Sequence, residues 1–114
     1  MSNFVMLLVE DDTVQRGLVA DMLRDEHFEV IECATAEAAE LVIASLGTEL
    51  RALITDNNLA GPMLGMDLAA YAKRRYPHLN VIITSGKQVK PLPYNTTLLR
   101  KPFSPSELLQ AARA

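Results

Sequence analysis

Acids, a hydroxyl and a lysine stand at the ends of apolar runs in this 114-residue sequence. Phe4 to Val9 (FVMLLV) runs into Glu10, Asp11 and Asp12; Arg51 to Thr55 runs into Asp56; Asn80 to Thr84 (NVIIT) runs into Ser85; Thr97 to Arg100 runs into Lys101-Pro102. Carboxylates can attack phosphorus or hold a hard metal ion, a hydroxyl donates one hydrogen bond, and an ammonium neutralises an anion. Taken alone, an aspartate after an apolar run is more often a turn former or a helix cap. Taken with the other three ends, Asp56 is the candidate acceptor of a phosphoryl group.

The elements between these ends must bring them together. FVMLLV is too short for a buried helix and is bounded by charge, which fits a strand covered on both faces. From Asp12 to about His27, Val14, Leu18 and Met22, joined by Val19 and Leu23, recur at helical spacing, with Gln15, Arg16, Asp21 and Arg24 on the other side. Asp12 followed by Gln15 resembles a capping box, which gives Asp12 a structural task and leaves it out of the site. Phe28 to Cys33 reads as a second strand. Thr35 then caps a helix with Ala39, Val42, Ile43 and Leu46 on its apolar face and Gly47 as its stop. After the strand at 51–55 and an irregular segment to Leu64, a third helix presents Leu68, Tyr71 and Ala72 before Pro77. Pro91 and Pro93 disfavour a full-length helix before the fifth strand, because each lacks an amide donor and restricts its neighbour. Ser104-Pro105-Ser106-Glu107 combines cap, first-turn proline and capping-box glutamate, so a last helix starts there with Leu108, Leu109 and Ala112 inward.

Strands alternating with helices imply a parallel sheet with helices on both faces, and ligands of such sheets bind beyond the carboxyl ends of the strands. The flavodoxin-like order 2-1-3-4-5, taken from known doubly wound sheets rather than from this sequence, gathers all four polar ends into one crevice.

Composition limits the function. With 49% hydrophobic and 22% charged residues the chain is an ordinary globular one, and 114 residues suit one domain with one core. A net charge of −3, with no basic cluster larger than Lys73-Arg74-Arg75, argues against nucleic-acid binding. Cys33 is the single cysteine, which excludes an internal disulfide or a thiolate metal site. His27 and His78 have no second ligand at metal spacing. No run suits a signal peptide or a bilayer span, so a cytoplasmic location without membrane contact is expected.

From LLVEDD through LITD and IITSG to LLRKPFSPSELL, essentially the whole chain resembles a receiver domain of the bacterial two-component response regulators. The resemblance implies one receiver domain over 1–114, with the five-stranded fold above. It implies a phosphoryl group accepted on Asp56 from a sensor histidine kinase or a histidine phosphotransfer protein. The domain promotes its own phosphorylation and dephosphorylation, and otherwise signals to an unknown downstream protein. Position by position, Glu10 and Asp11 match the acidic pair that holds Mg2+. Asp11, Asp56 and the main-chain carbonyl of Asn57 are the implied ligands, with Glu10 acting through water. Ser85 matches the hydroxyl residue after strand four, Gly86 the small residue after it, and Lys101 the family's lysine, whose bond to Pro102 is usually cis. Asn58 and Lys87 flank the implied water path to the acyl phosphate. With nothing after Ala114 to serve as output, the expectation is a domain working alone or cut from a larger sensor kinase.

The sequence departs from the family in four places. Leu98 stands three before the lysine, where Tyr or Phe is usual, and the stretch from Ser85 to Lys101 is several residues short, so the fourth helix is short or absent. Asn57 is polar where an apolar residue is usual, and the loop to Gly65 is about one residue longer. These changes motivate an alternative, a receiver-like interaction module that does not turn over phosphate. An aspartyl phosphohydrolase is disfavoured, because the acid expected two residues after the nucleophile is Asn58. Tyr94 is a distant substitute for the missing aromatic.

Overall fold

The computed structural model describes residues 5–88 and 92–114. Five strands, β1 (Val5–Val9), β2 (Glu29–Cys33), β3 (Leu50–Asp56), β4 (Asn80–Ser85) and β5 (Thr96–Arg100), form one sheet in the order β2-β1-β3-β4-β5. Every pairing is parallel. Helices α1 (Thr13–Asp25) and α4 (Pro105–Arg113) cover one face, and α2 (Ala36–Leu46) and α3 (Gly65–Arg75) the other. Strand alternation divides the core accordingly. Met6, Leu8, Ala52, Ile54 and Ile82 pack under α1 and α4, whereas Leu7, Val9, Leu53, Val81 and Ile83 pack under α2 and α3. Burying each such Leu or Ile contributes about 1.5–3 kcal/mol, so the sheet is rigid enough to carry polar groups at its rim.

The expected fold is the observed one, with the expected helix starts. Thr35 accepts from the Ala38 amide at 3.1 Å, and Ser104 and Glu107 form the reciprocal capping box. Among the described residues between β4 and β5 there is no helix; Pro93 lies there, while Pro91 and Phe4 lie outside the described residues. Asn80, at the start of β4, donates to the carbonyls of Ala111 (2.9 Å) and Ala112 (3.3 Å), tying the end of α4 to the sheet.

Two local readings change. Of the expected apolar face of α1, Leu23 is fully buried and Val19 and Met22 pack against the core, joined by Ala20, whereas Val14 is 71% and Leu18 57% exposed. The buried face is rotated toward Arg16, which turns to the sheet, where its guanidinium donates to the Glu10 carbonyl at 2.9 Å and meets Glu32 at 3.4 Å. Gly47 does end α2, but in a right-handed conformation (φ −54°). Its need is space, since a Cβ there would overlap the Tyr76 ring.

Gly65 bears on the rim directly. Its amide donates to the Asn57 carbonyl at 3.0 Å, and an added Cβ would overlap the Asp56 carbonyl oxygen and stand 2.8 Å from Asn57 Cα. Both obstacles are backbone that cannot step aside. Gly65→Ala is therefore expected to cost about 1–3 kcal/mol in thermal unfolding. Gly17→Ala, inside α1 with nothing within 4 Å of the new methyl, should instead stabilise by about 0.5–1 kcal/mol. Equal effects at the two sites would contradict the packing argument.

Candidate functional site

The register brings the polar strand ends to one edge. Val9 lies beside Cys33 and Thr55, Asp56 beside Thr84, and Ser85 beside Arg100. The edge is extended by the Asn57 amide on the Thr84 carbonyl (3.0 Å) and the Lys101 amide on the Ser85 carbonyl (2.8 Å). The chain leaves β1 toward β2 on one side and β3 toward β4 on the other, so the crevice between β1 and β3 is where strand order reverses.

In that crevice one carboxylate oxygen from each of Glu10, Asp11 and Asp56 lies within 4.8 Å of the others. Glu10 and Asp56 are buried and Asp11 is exposed. Lys101 reaches in from the end of β5: its Nζ donates to Asp56 Oδ2 at 3.1 Å, to Gln15 Oε1 at 3.1 Å and to Glu10 Oε1 at 3.4 Å. The Lys101-Pro102 bond is cis. Four of the expected residues, Glu10, Asp11, Asp56 and Lys101, thus converge. Ser85 is buried at the end of β4 without a bond to Asp56; its Oγ accepts from the Lys87 amide at 3.1 Å.

Asn57 explains its own polarity. α3 begins after Leu64, which has no side-chain acceptor for the helix's free amides. Asn57 supplies two, with its carbonyl on the Gly65 amide (3.0 Å) and its Oδ1 on the Met66 amide (3.2 Å), while Asp67 accepts from the Leu64 amide (3.0 Å). One lone pair of the Asn57 carbonyl is therefore already used. The Asn58 amide donates to Asp56 Oδ1 at 3.2 Å.

Gln15 was missed. Its spacing assigned it to the solvent side of α1 and to a capping box with Asp12, but only half of that box forms. Asp12 Oδ1 accepts from the Gln15 amide (3.0 Å), while the Gln15 side chain goes to Lys101 and the Asp12 amide to Glu10 Oε2 (3.2 Å). Beside Gln15 a largely apolar groove of about 480 Å³ runs from the crevice past Leu18, Met22 and Phe103. Cys33 is buried, and burial pushes its thiol pKa up, so it is an inert core residue.

The charges decide what the crevice can hold. Burial raises the Glu10 pKa above the ordinary carboxylate value, and the Asp56 charge adds to this against the Asp12 amide and Lys101. Burial alone would lower the Lys101 pKa, but Asp56 first and Glu10 next hold it above the ordinary lysine value. Two carboxylates 4.8 Å apart repel by about 3–4 kcal/mol at an effective dielectric of 20, and one ammonium answers three of them. The donor set fits a hard divalent cation. Oxygens bound to one octahedral magnesium stand at most about 4.2 Å apart, so a set reaching 4.8 Å needs a small contraction or one water-bridged ligand.

A raised Glu10 pKa means that folding favours its protonated form. This contribution is present below the ordinary value and lost as pH rises through the raised one, so without divalent cation the neutral-pH protein carries the full cost. Glu10→Gln is expected to raise the metal-free melting temperature at pH 7 by a few degrees, about 1 kcal/mol, with a smaller gain at pH 4. An equal rise at both pH values would show that charge is not the cause.

Comparison with known proteins agrees with this geometry. The family described as response regulator receiver domain matches residues 6–113. The response regulator protein FleR of Pseudomonas aeruginosa is 38% identical over 81 residues, 71% of this chain and 16% of that protein. This chain thus spans under a fifth of the length of the curated relatives it matches. A response regulator receiver protein from Sinorhizobium medicae superposes with a TM-score of 0.88 at 22% identity, over 97% of this chain and 92% of that one. The receiver domain of the hybrid histidine kinase CckA gives 0.83 at 27% identity, over 96% and 95%. Matched across nearly its whole described length in sequence and in fold, the chain belongs to the response regulator receiver domain family.

Proposed function

We propose that residues 1–114 form a single phosphoacceptor domain that receives a phosphoryl group on Asp56, magnesium-dependently, from a histidine kinase or a histidine phosphotransfer protein. The observation that carries this reading is the Asp56 carboxylate, 8% exposed, clustered with Glu10 and Asp11 and bonded to Lys101 at 3.1 Å. A turn former or cap would spend its carboxylate on its own loop alone, whereas Asp56 gives Oδ1 to the Asn58 amide and turns Oδ2 to Lys101.

Asp11 and Asp56 would hold the ion directly and Glu10 through water. The main-chain ligand is Asn57 by its second lone pair, or the neighbouring Asn58 carbonyl, which accepts no hydrogen bond among the described residues. Bound there, magnesium supplies positive charge to the carboxylates and to the oxygens of the transferring group. Asp56 Oδ attacks phosphorus in line; the donor's P–N bond breaks, and its electron pair leaves with the imidazole. Lys101 neutralises charge on the phosphoryl oxygens, so the chain contributes mostly position and electrostatics. The Ser85 hydroxyl, whose oxygen accepts from the Lys87 amide, donates its proton to a phosphoryl oxygen and draws its loop inward, shifting a two-state surface read by a downstream protein. Asn58 and Lys87, both exposed, tune water access and so the lifetime of the acyl phosphate. The domain promotes its own phosphorylation and dephosphorylation and catalyses nothing else. No helix among the described residues is long and apolar enough to cross a membrane, and a bacterial cytoplasmic setting, without nucleic-acid or membrane contact, fits its donors.

Intact mass after incubation with acetyl phosphate should rise by one phosphoryl group with magnesium present, and not in Asp56→Asn or without the ion. No gain at saturating donor would favour a silent interaction module. Two features point that way: Leu98, half-buried in the core where an inward-swinging aromatic is usual, and the absence of a helix among the described residues between β4 and β5.

A further inference from the structure

Lys101 has three N–H groups and three acceptors, and only two of the acceptors are charged. The third, Gln15 Oε1, is as close as Asp56 Oδ2, at 3.1 Å. An exposed glutamine touching a lysine is ordinarily incidental, because two long side chains lose rotamer freedom for little gain. Here the glutamine's backbone is fixed. Its amide is held by the Asp12 cap at 3.0 Å, the Asp12 amide is held by Glu10, and Arg16 next to it clamps the Glu10 carbonyl at 2.9 Å. The first turn of α1 is thereby bolted to the end of β1, and Gln15 is the one residue of that turn bonded to the lysine.

We propose that Gln15 is a positioning residue for phosphoryl transfer, holding the Lys101 ammonium over Asp56 through its Oε1. This rests on the phosphoacceptor reading. When Asp56 is phosphorylated, its negative charge moves outward onto the phosphoryl oxygens, and Lys101 must follow. A carboxylate at position 15 would hold the lysine back with a full charge, and an apolar residue would leave the third N–H unpaired and the side chain free to swing into the groove beside Leu18 and Phe103. A neutral amide anchors the stem of the motion without competing for the charge. It also adds nothing to the repulsion among the three acids.

The test is the rate of phosphorylation of the full chain by acetyl phosphate at saturating magnesium, followed by intact mass. Gln15→Met keeps the length and removes the acceptor; about a fivefold slower rate is expected, with the melting temperature unchanged because position 15 is exposed. Gln15→Glu keeps an acceptor oxygen at the same reach but adds a charge that holds the lysine back, so its rate should fall between the two, about twofold below the natural chain and at least twice that of the Met variant. An unchanged rate in Gln15→Met, or equal slowing in both variants, overturns the proposal. Failure of the natural chain to take up phosphate is a different result, one that removes the phosphoacceptor reading and this proposal with it.

Discussion

The Lys101 ammonium sits between two buried carboxylates, and the carboxyl edge of the sheet is arranged around that contact. Three acids meet there, from the ends of β1 and β3, and among the described residues Lys101 is the cation bonded to two of them. Without it, repulsion of several kcal/mol would press on a rim whose strands are held by about 1.5–3 kcal/mol per buried aliphatic residue. With it, the crevice remains one or two positive charges short. A site poised in this way favours whatever brings positive charge in and lets added negative charge settle on Lys101, which is the electrostatic demand of phosphoryl transfer.

The departures from the family are local solutions to local needs. Asn57 answers a need of α3, which starts after a leucine and lacks acceptors for its first amides. Leu98 packs into the core on the α2 and α3 side, and Tyr94 is 85% exposed, so neither is placed as an inward-turning aromatic. Among the described residues of the connection before β5 there is no helix. None of these departures replaces a side chain of the cluster that Glu10, Asp11 and Asp56 form beside Lys101 at the rim.

The parts of the site that were legible in the sequence share one property. Glu10, Asp56, Ser85 and Lys101 each mark an abrupt change from apolar to polar, and in a parallel sheet such a change is the end of a strand. Once the strand order is granted, the meeting of Glu10, Asp56 and Lys101 follows, with Ser85 at the neighbouring strand end. Gln15 and Arg16 left no such mark. Helical periodicity placed both on the solvent side of α1, and only the reach of their side chains, one to Lys101 and one to the Glu10 carbonyl, reverses that. The inner face of α1 was read in part, with Val19, Met22 and Leu23 correct and Val14 and Leu18 not, since a small Ala20 and an inward arginine carry no hydrophobic signal. The Gly47 stop was placed correctly but for the wrong cause, because contact with a ring 29 positions away leaves no trace in local sequence.

The most direct test of the charge account is the melting temperature of the purified chain as magnesium is added. A cation that binds the folded crevice and not the unfolded chain stabilises by about 2.7 kcal/mol at a hundredfold excess over its dissociation constant. The account predicts a saturable rise in the natural chain that is lost in Asp11→Asn. A melting temperature that ignores magnesium in the natural chain, or rises equally in both, would contradict it.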